Sequence, residues 1–339
     1  MSNYRVSPEN EAASPLLRLE ELRTYYPIRQ GVLGRTSGYI KAVDGINLDI
    51  SAGETLGLVG ESGCGKSSIG RTMLRLEPAH SGRIFFEGQD ITNLSQHRMK
   101  KVRTKLQIIF QDPYSSLNPR KRVGDLISEP ILAHRLATRQ EAEAEVIRLL
   151  DLVGLPRSAM SRHPHEFSGG QRQRIGIARA LSLKPKLIVC DEPVSALDVS
   201  IQAQILNLFR DLQQELNLTY VFIAHGLGAV NYISTRIAVM YLGKIVEIGA
   251  KEDVFSDAKH PYTRSLLTAN PITHPRMREQ SRFVLEGDVP SPANPPQGCR
   301  FHSRCPYAQA KCQEEEPQLA DTGMPAHQVA CHFPIVEGS

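Results

Sequence analysis

Gly60-Glu61-Ser62-Gly63-Cys64-Gly65-Lys66-Ser67 reads G-x-x-x-x-G-K-S, and the rest of the chain is best understood outward from it. A triphosphate carries dense negative charge that water solvates well, so a protein that binds one must offer many donors together. Glycines let the backbone close in until consecutive N–H groups point inward, and a following helix adds its positive N-terminal end. In this pattern Lys66 is the mobile charge for the β- and γ-phosphates, and the Ser67 hydroxyl is a hard oxygen ligand for Mg²⁺. Glu54 to Val59 reads as a short apolar strand running into the loop, and Ile69, Met73, Leu74 and Leu76 recur behind it at helical spacing. Gly60 through Ser68 is therefore the expected nucleotide cradle.

The bulk composition is compatible with this. With 339 residues there is room for one large domain and a smaller module, and 41% apolar residues are ample for a packed core. A formal charge of +4 gives no warrant for nucleic-acid binding. The basic run His97 to Arg103 reads as a solvated helix face and not a phosphate-contacting patch. No stretch approaches the roughly 18 consecutive apolar residues of a membrane span. Polar Met1 to Pro15, with Glu9, Asn10 and Glu11, reads as a flexible N-terminus and not as a secretory signal. The expectation is a cytosolic chain, with other subunits supplying any membrane spans.

From about Leu16 to Phe255 short apolar strands alternate with helical patterns, the mark of an α/β domain around a largely parallel sheet. Strands are expected at Leu187–Cys190 and Tyr220–Ala224, with a hairpin Arg236–Tyr241 and Lys244–Ile248 hinged at Leu242-Gly243. Arg135 to Val153 reads as a surface helix, and Pro-rich Val289 to Pro296 as an extended linker. No internal repeat is visible, so one cassette is expected.

Lys186 to Pro193 is a hydrophobic strand ending in two carboxylates, Asp191 and Glu192. A strand of this kind sets Asp191 beside the phosphate loop, where it can hold Mg²⁺ directly or through water. Glu192 then faces the place of an attacking water and can accept or orient its proton. Farther upstream, Ser168 and Gln171 have capping-box spacing, so a helix is expected to start there, with Gly169 and Gly170 leaving its first amides bare to an anion.

At Ser168-Gly169-Gly170-Gln171 the chain resembles the ATP-binding cassette (ABC) ATPases, whose signature it matches. That resemblance implies an ABC-type P-loop NTPase: a RecA-like α/β core, an antiparallel β subdomain and a helical signature subdomain over about 113–175. It also implies roles for other residues. Gln111 matches the glutamine loop, which senses γ-phosphate, helps hold Mg²⁺ with Ser67 and Asp191, and meets the transmembrane subunits. Asp198, in Ser195-Ala196-Leu197-Asp198, matches the acidic residue of the loop crossing the dimer interface. His225 matches the switch histidine, although Gly226 follows it where the family usually has aspartate. Tyr26, with Tyr25 as the alternative, is the aromatic residue expected to stack on adenine; stacking discriminates bases weakly, so GTP stays admissible.

Cys299, Cys305, Cys312 and Cys331 crowd the C-terminal part, whereas Cys64 and Cys190 sit in the nucleotide-binding region. Clustered thiols in a cytosolic chain suggest metal, and their spacing admits either Zn²⁺ or an iron–sulfur cluster. A narrower resemblance, to oligopeptide/dipeptide-type ABC importer subunits, rests on His260-Pro261-Tyr262-Thr263, Pro290-Ser291-Pro292, Asn294 to Cys299, Arg304-Cys305-Pro306 and Pro113 to Arg120. It implies a small cysteine-rich C-terminal extension over 259–335, following the cassette at 16–258, whose four cysteines hold a [4Fe–4S] cluster, with zinc as the alternative. It further implies an ATP- and Mg²⁺-dependent ATPase, bound peripherally at the cytoplasmic face of the inner membrane. The implied partners are a homologous second ATPase subunit in a heterodimer, two transmembrane permease subunits and an extracytoplasmic solute-binding protein. No nucleic acid is expected. The cargo is left open between peptides, nickel complexes and other small solutes. Rival readings are a soluble ABC ATPase acting on nucleic acid or ribosomes and a regulatory nucleotide-binding module; the intact carboxylate pair argues against the second.

Overall fold

The computed structural model describes residues 14–31, 35–269 and 287–336. The flexible segment expected over 1–15 lies, apart from Ser14 and Pro15, outside the described residues, as does 270–286 of the expected C-terminal extension.

Two sheets organise the molecule. The first is antiparallel and four-stranded, in the order β2 (Arg35–Ile50), β1 (Leu17–Gln30), β4 (Ser81–Phe86), β5 (Gln89–Asp90). The long β1–β2 pair was not legible as two strands, because Pro27, register shifts and several exposed positions blur its alternation. The second sheet has eight strands. Its parallel part runs β9 (Arg236–Tyr241), β3 (Thr55–Val59), β8 (Thr219–Ile223), β7 (Leu187–Asp191), β6 (Leu106–Ile109). Antiparallel β10 (Lys244–Ala250), β12 (Gln328–Val329) and β11 (Ala320–Asp321) extend its other edge. The apolar runs predicted as strands form β3, β7 and β8, all fully buried, as strands covered on both faces must be.

Helices cover the parallel strands. Helix α1 (Lys66–Met73) springs from the phosphate loop; it ends before Leu76, which is exposed, because Arg75 takes a left-handed conformation. The basic run lies on α2 (Gln96–Arg103), capped by Ser95 and anchored by Met99; His97, Arg98, Lys100 and Lys101 are exposed as expected, whereas Arg103 is half-buried. Between β6 and β7 comes a helical block: α3 (Pro113–Ser116), α4 (Val123–Ala133), α5 (Arg139–Leu152) and α6 (Gly169–Leu181). The surface helix read from Arg135 begins later, at α5. Arg135 is left-handed, and Thr138 with Glu141 forms a complete capping box, so the helix starts where its free N–H groups find partners.

Helix α7 (Val199–Leu216) lays Ile205, Leu206, Phe209 and Leu212 on the sheet and ends at left-handed Asn217. Phe209 meets Tyr220 and Phe222 of β8 edge-on, with centroids 5.6 and 5.8 Å apart. Short α8 (Leu227–Ile233) follows β8, and α9 (Lys251–Ser256) and α10 (Pro261–Ala269) follow β10. The C-terminal segment carries one more short helix, α11 (Ala310–Glu314), and returns to the sheet where Ala330 N–H donates to Val246 O at 2.8 Å. Val289 to Pro296 is irregular but not a free linker, since Lys41 N–H donates to Pro292 O at 3.1 Å. Among the described residues, no helix is long and apolar enough to cross a membrane.

Candidate functional site

The phosphate loop joins the C-terminal end of β3 to α1, where ligands sit in open α/β sheets. Gly65 caps α1 with φ of 107°, and a Cβ there would stand 1.9 Å from Ala42 O, so neither the conformation nor the space admits another residue. Lys66 is 4% exposed, and its ammonium rests on Gly60 O at 2.7 Å and Glu61 O at 2.9 Å. Burial raises the pKa of the Cys64 thiol beside it.

Asp191 ends β7 and Glu192 follows it directly. Asp191 Oδ1 accepts from the Ser67 hydroxyl at 2.7 Å, so two hard oxygens meet where a magnesium ion would need them. Arg71 of α1 stands 3.8 Å from the other carboxylate oxygen. Glu192 is left-handed and buried, and its two oxygens have separate partners: Gln111 Nε2 donates to Oε2 at 2.7 Å, and His225 Nε2 stands 2.7 Å from Oε1. Gln111 also reaches Ser195 Oγ at 3.5 Å. A carboxylate fixed between an amide and an imidazole, one residue beyond the aspartate that meets Ser67, is arranged so that it could orient a water and take its proton. Gly226 caps α8 with no side-chain bond, and a Cβ there would meet open space.

The signature segment lies at the start of α6. Ser168 Oγ accepts from Gln171 N–H at 3.4 Å, and Gln171 Oε1 accepts from Ser168 N–H at 3.1 Å, the capping box expected from the spacing. Gly170 has a second reason that the sequence did not offer: a Cβ there would stand 2.5 Å from Ile201 of α7. Ser168, Gly169, Gln171 and Asp198 are exposed.

The two adenine candidates have different surroundings. Tyr26 is half-buried, and its hydroxyl contacts Ser68 Oγ at 3.2 Å and Glu77. Tyr25 stacks on His80 at 4.5 Å and donates to Asp44, so its ring and hydroxyl are already engaged.

Sequence reasoning missed two residues that touch the loop. Tyr262 OH accepts from Glu61 N–H at 2.8 Å, and Arg304 grips the Glu61 carboxylate at 2.8 and 3.2 Å. Tyr262 lies in the quoted His260–Thr263 motif and Arg304 in Arg304-Cys305-Pro306, but nothing local in either motif points to a loop some two hundred residues upstream.

Cys299, Cys305, Cys312 and Cys331 line one small pocket, together with Phe301, His302 and His332. Burial, reinforced by the neighbouring thiols, pushes Cys299 up to about 11. For Cys331 burial does most of the work and the other thiols again add, giving about 12. A nearby cation would reverse this logic and favour thiolates. Among the described residues, no group of three or more His, Cys, Asp or Glu side chains stands in ready metal-holding geometry. One ring nitrogen of each nearby histidine is engaged: His302 Nδ1 with Cys299 O, His332 Nε2 with Glu315 O, and His327 Nε2 with Glu247.

Residues 43–195 match the family model described as ABC transporter, and 246–312 match that of the oligopeptide/dipeptide transporter C-terminal region. The chain is 53% identical to the oligopeptide transport ATP-binding protein AppF of Bacillus subtilis, over 94% of its own length and 97% of that protein. It is 45% identical to the dipeptide transport ATP-binding protein DppF of Escherichia coli, over 94% of each. Among solved structures it resembles the ATP-binding cassette MJ0796, a dimer in a post-hydrolysis state bound to ADP and Pi, with a TM-score of 0.62 and 25% identity over 69% of this chain and 98% of that one. The structure of cbiO1 from Clostridium perfringens, part of the ABC transporter complex cbiONQ, gives the same TM-score at 28% identity, over 72% of this chain and 91% of that one.

Proposed function

The chain belongs to the ABC transporter ATP-binding proteins, in their oligopeptide/dipeptide branch, and from that premise we propose that it is the ATPase subunit of a peptide importer. The observation that carries this reading is the bracketed Glu192, held between Gln111 and His225 one residue past the Asp191–Ser67 contact. Gly60 to Ser68 cradle the triphosphate, with Lys66 leaving its carbonyl partners for phosphate oxygens and Tyr26 stacking on the base. Ser67, Asp191 and Gln111 hold the magnesium ion, whose chemistry is to neutralise charge on the phosphates. Glu192 orients and deprotonates the attacking water, and His225 steadies Glu192 and senses the γ-phosphate.

The exposed signature, Ser168 to Gln171, and Asp198 close over the nucleotide of a second cassette. That cassette is a homologous but distinct chain, so the working unit is a heterodimer. Residues 16–258 form the cassette, with the helical subdomain at about 113–175, and 259–335 form the C-terminal extension. Two permease subunits and an extracytoplasmic solute-binding protein complete the importer, and the ATPase sits peripherally at the cytoplasmic face of the inner membrane.

For the four cysteines the reading is a resident [4Fe–4S] cluster; what supports it is that they line one pocket, although they do not stand in metal-holding geometry there. Cys299, Cys305, Cys312 and Cys331 would hold it, and its contribution would be to cross-link the extension. An iron and sulfide analysis with a visible absorbance band tests this; stoichiometric zinc without iron would contradict it. The transport reading is tested by reconstituting the chain with the permeases encoded beside its gene. Peptide uptake into vesicles that requires ATP supports it, and ATP hydrolysis indifferent to peptide and permease contradicts it.

A further inference from the structure

We propose that Arg304 is a positioning residue for nucleotide binding, holding the phosphate loop by Glu61 from the far end of the chain. Every polar group of Glu61 is engaged. Its carboxylate accepts from the two terminal guanidinium nitrogens of Arg304, its N–H donates to Tyr262 OH, and its carbonyl accepts from Lys66 Nζ. The Arg304 side chain is only 7% exposed, so the fork-to-fork contact is largely shielded from water and fixes orientation as well as attracting.

Arg304 is itself held from behind. It ends the turn His302–Arg304, donates its own N–H to Phe301 O at 3.0 Å, and lies over the ring of Tyr241. The rings of Tyr241, Tyr262 and Phe301 pack on one another with centroids 4.7, 5.2 and 5.4 Å apart. Glu61 is thus clamped to a plate of packed aromatics drawn from β9, α10 and the C-terminal segment, and is not left in solvent.

The consequence lies in binding more than in chemistry. A tether at Glu61 holds the loop backbone in one arrangement before the nucleotide arrives and so reduces the ordering that ATP must impose. Arg304 bonds to Glu61 and Tyr241, not to Asp191, Glu192 or His225.

The test measures ATP affinity, kcat and KM for the full chain as wild type, Arg304→Met, Arg304→Lys, Glu61→Gln and the double variant, recording metal content and Tm throughout. Arg304→Met is expected to raise Kd and KM about ten-fold, equivalent to about 1.4 kcal/mol, with kcat within about two-fold. Arg304→Lys recovers part of the affinity, since a point charge lacks the fork. The double variant binds no more weakly than Arg304→Met alone. Should Arg304→Met misfold, Tyr262→Phe removes only the hydroxyl and is expected to raise KM a few-fold. Unchanged affinity in the folded variants, or penalties that add in full, overturns the proposal. The inference rests on ATP binding at this loop: a wild-type chain that binds no ATP overturns the functional reading, whereas variants matching a binding-competent wild type overturn this one alone.

Discussion

The nucleotide cradle and the cysteine pocket are joined through Phe301 and Tyr262, yet they are furnished in opposite ways. In the cradle each reactive group already has a partner within the chain: Lys66 on two carbonyls, Ser67 on Asp191, Glu192 between Gln111 and His225. In the pocket burial raises the pKa of the Cys299, Cys305 and Cys331 thiols, backbone N–H groups offset part of that, and neighbouring thiols add to it. Internal partners let a site stay folded between ligands, which suits a nucleotide that comes and goes. A pocket of crowded thiols suits a group that stays.

The contrast breaks first on Lys66. Its replacement by Ala removes the ammonium resting on the Gly60 and Glu61 carbonyls and is expected to weaken ATP binding at least about a hundred-fold, read by equilibrium dialysis. An unchanged Kd would mean that the cradle is not where ATP binds. On the other side, Cys312 is the most buried of the four pocket cysteines. Cys312→Ser is expected to lose the proposed cluster and several degrees of Tm while leaving ATP affinity nearly intact. Full metal retention by that variant would remove the pocket's proposed role.

Acid should loosen the C-terminal side before the cradle. Burial outweighs the attraction of Glu247 and holds the His260 imidazole at about 4, against an ordinary 6.5. Glu247 also faces His327 and accepts from the N–H groups of Lys259 and His260. Between those two pH values the unfolded chain binds a proton that the folded chain refuses, so stability falls as pH falls, by on the order of 3 kcal/mol across the window. His260→Asn keeps an acceptor for Tyr262 N–H and is expected to flatten that slope in denaturant titrations; an unaltered slope would place the acid sensitivity elsewhere.

The smallest effect concerns the cradle's edge. Gly226→Asp gives α8 a capping carboxylate in open space, and is expected to add a few tenths of a kcal/mol of stability, visible as a small rise in urea midpoint. A fall in midpoint would show that glycine is required there.

These two regions also differed in how far the sequence could be read. The loop, the carboxylate strand and the capping box at Ser168 are local patterns in which neighbouring residues do the work, and the structure has each of them in place. Two features of the site were not readable, because their partners are distant in the chain. Gly170 is small on account of Ile201, and Glu61 is tethered by Tyr262 and Arg304. The β1–β2 pair was missed for a different reason: bulge-like register shifts break the alternation by which a half-buried strand announces itself. Arg135 misled in the opposite direction, since helical spacing extends through a residue whose backbone turns left-handed before Thr138 can cap.

The most direct test concerns Glu192. In one preparation of the Glu192→Gln variant, assembled with the proposed second cassette, ATP binding and ATP turnover are measured side by side with wild type. Retained binding with turnover reduced at least about a hundred-fold is the predicted result. Near-normal hydrolysis would contradict the account, since Glu192 would then not be the group that activates water.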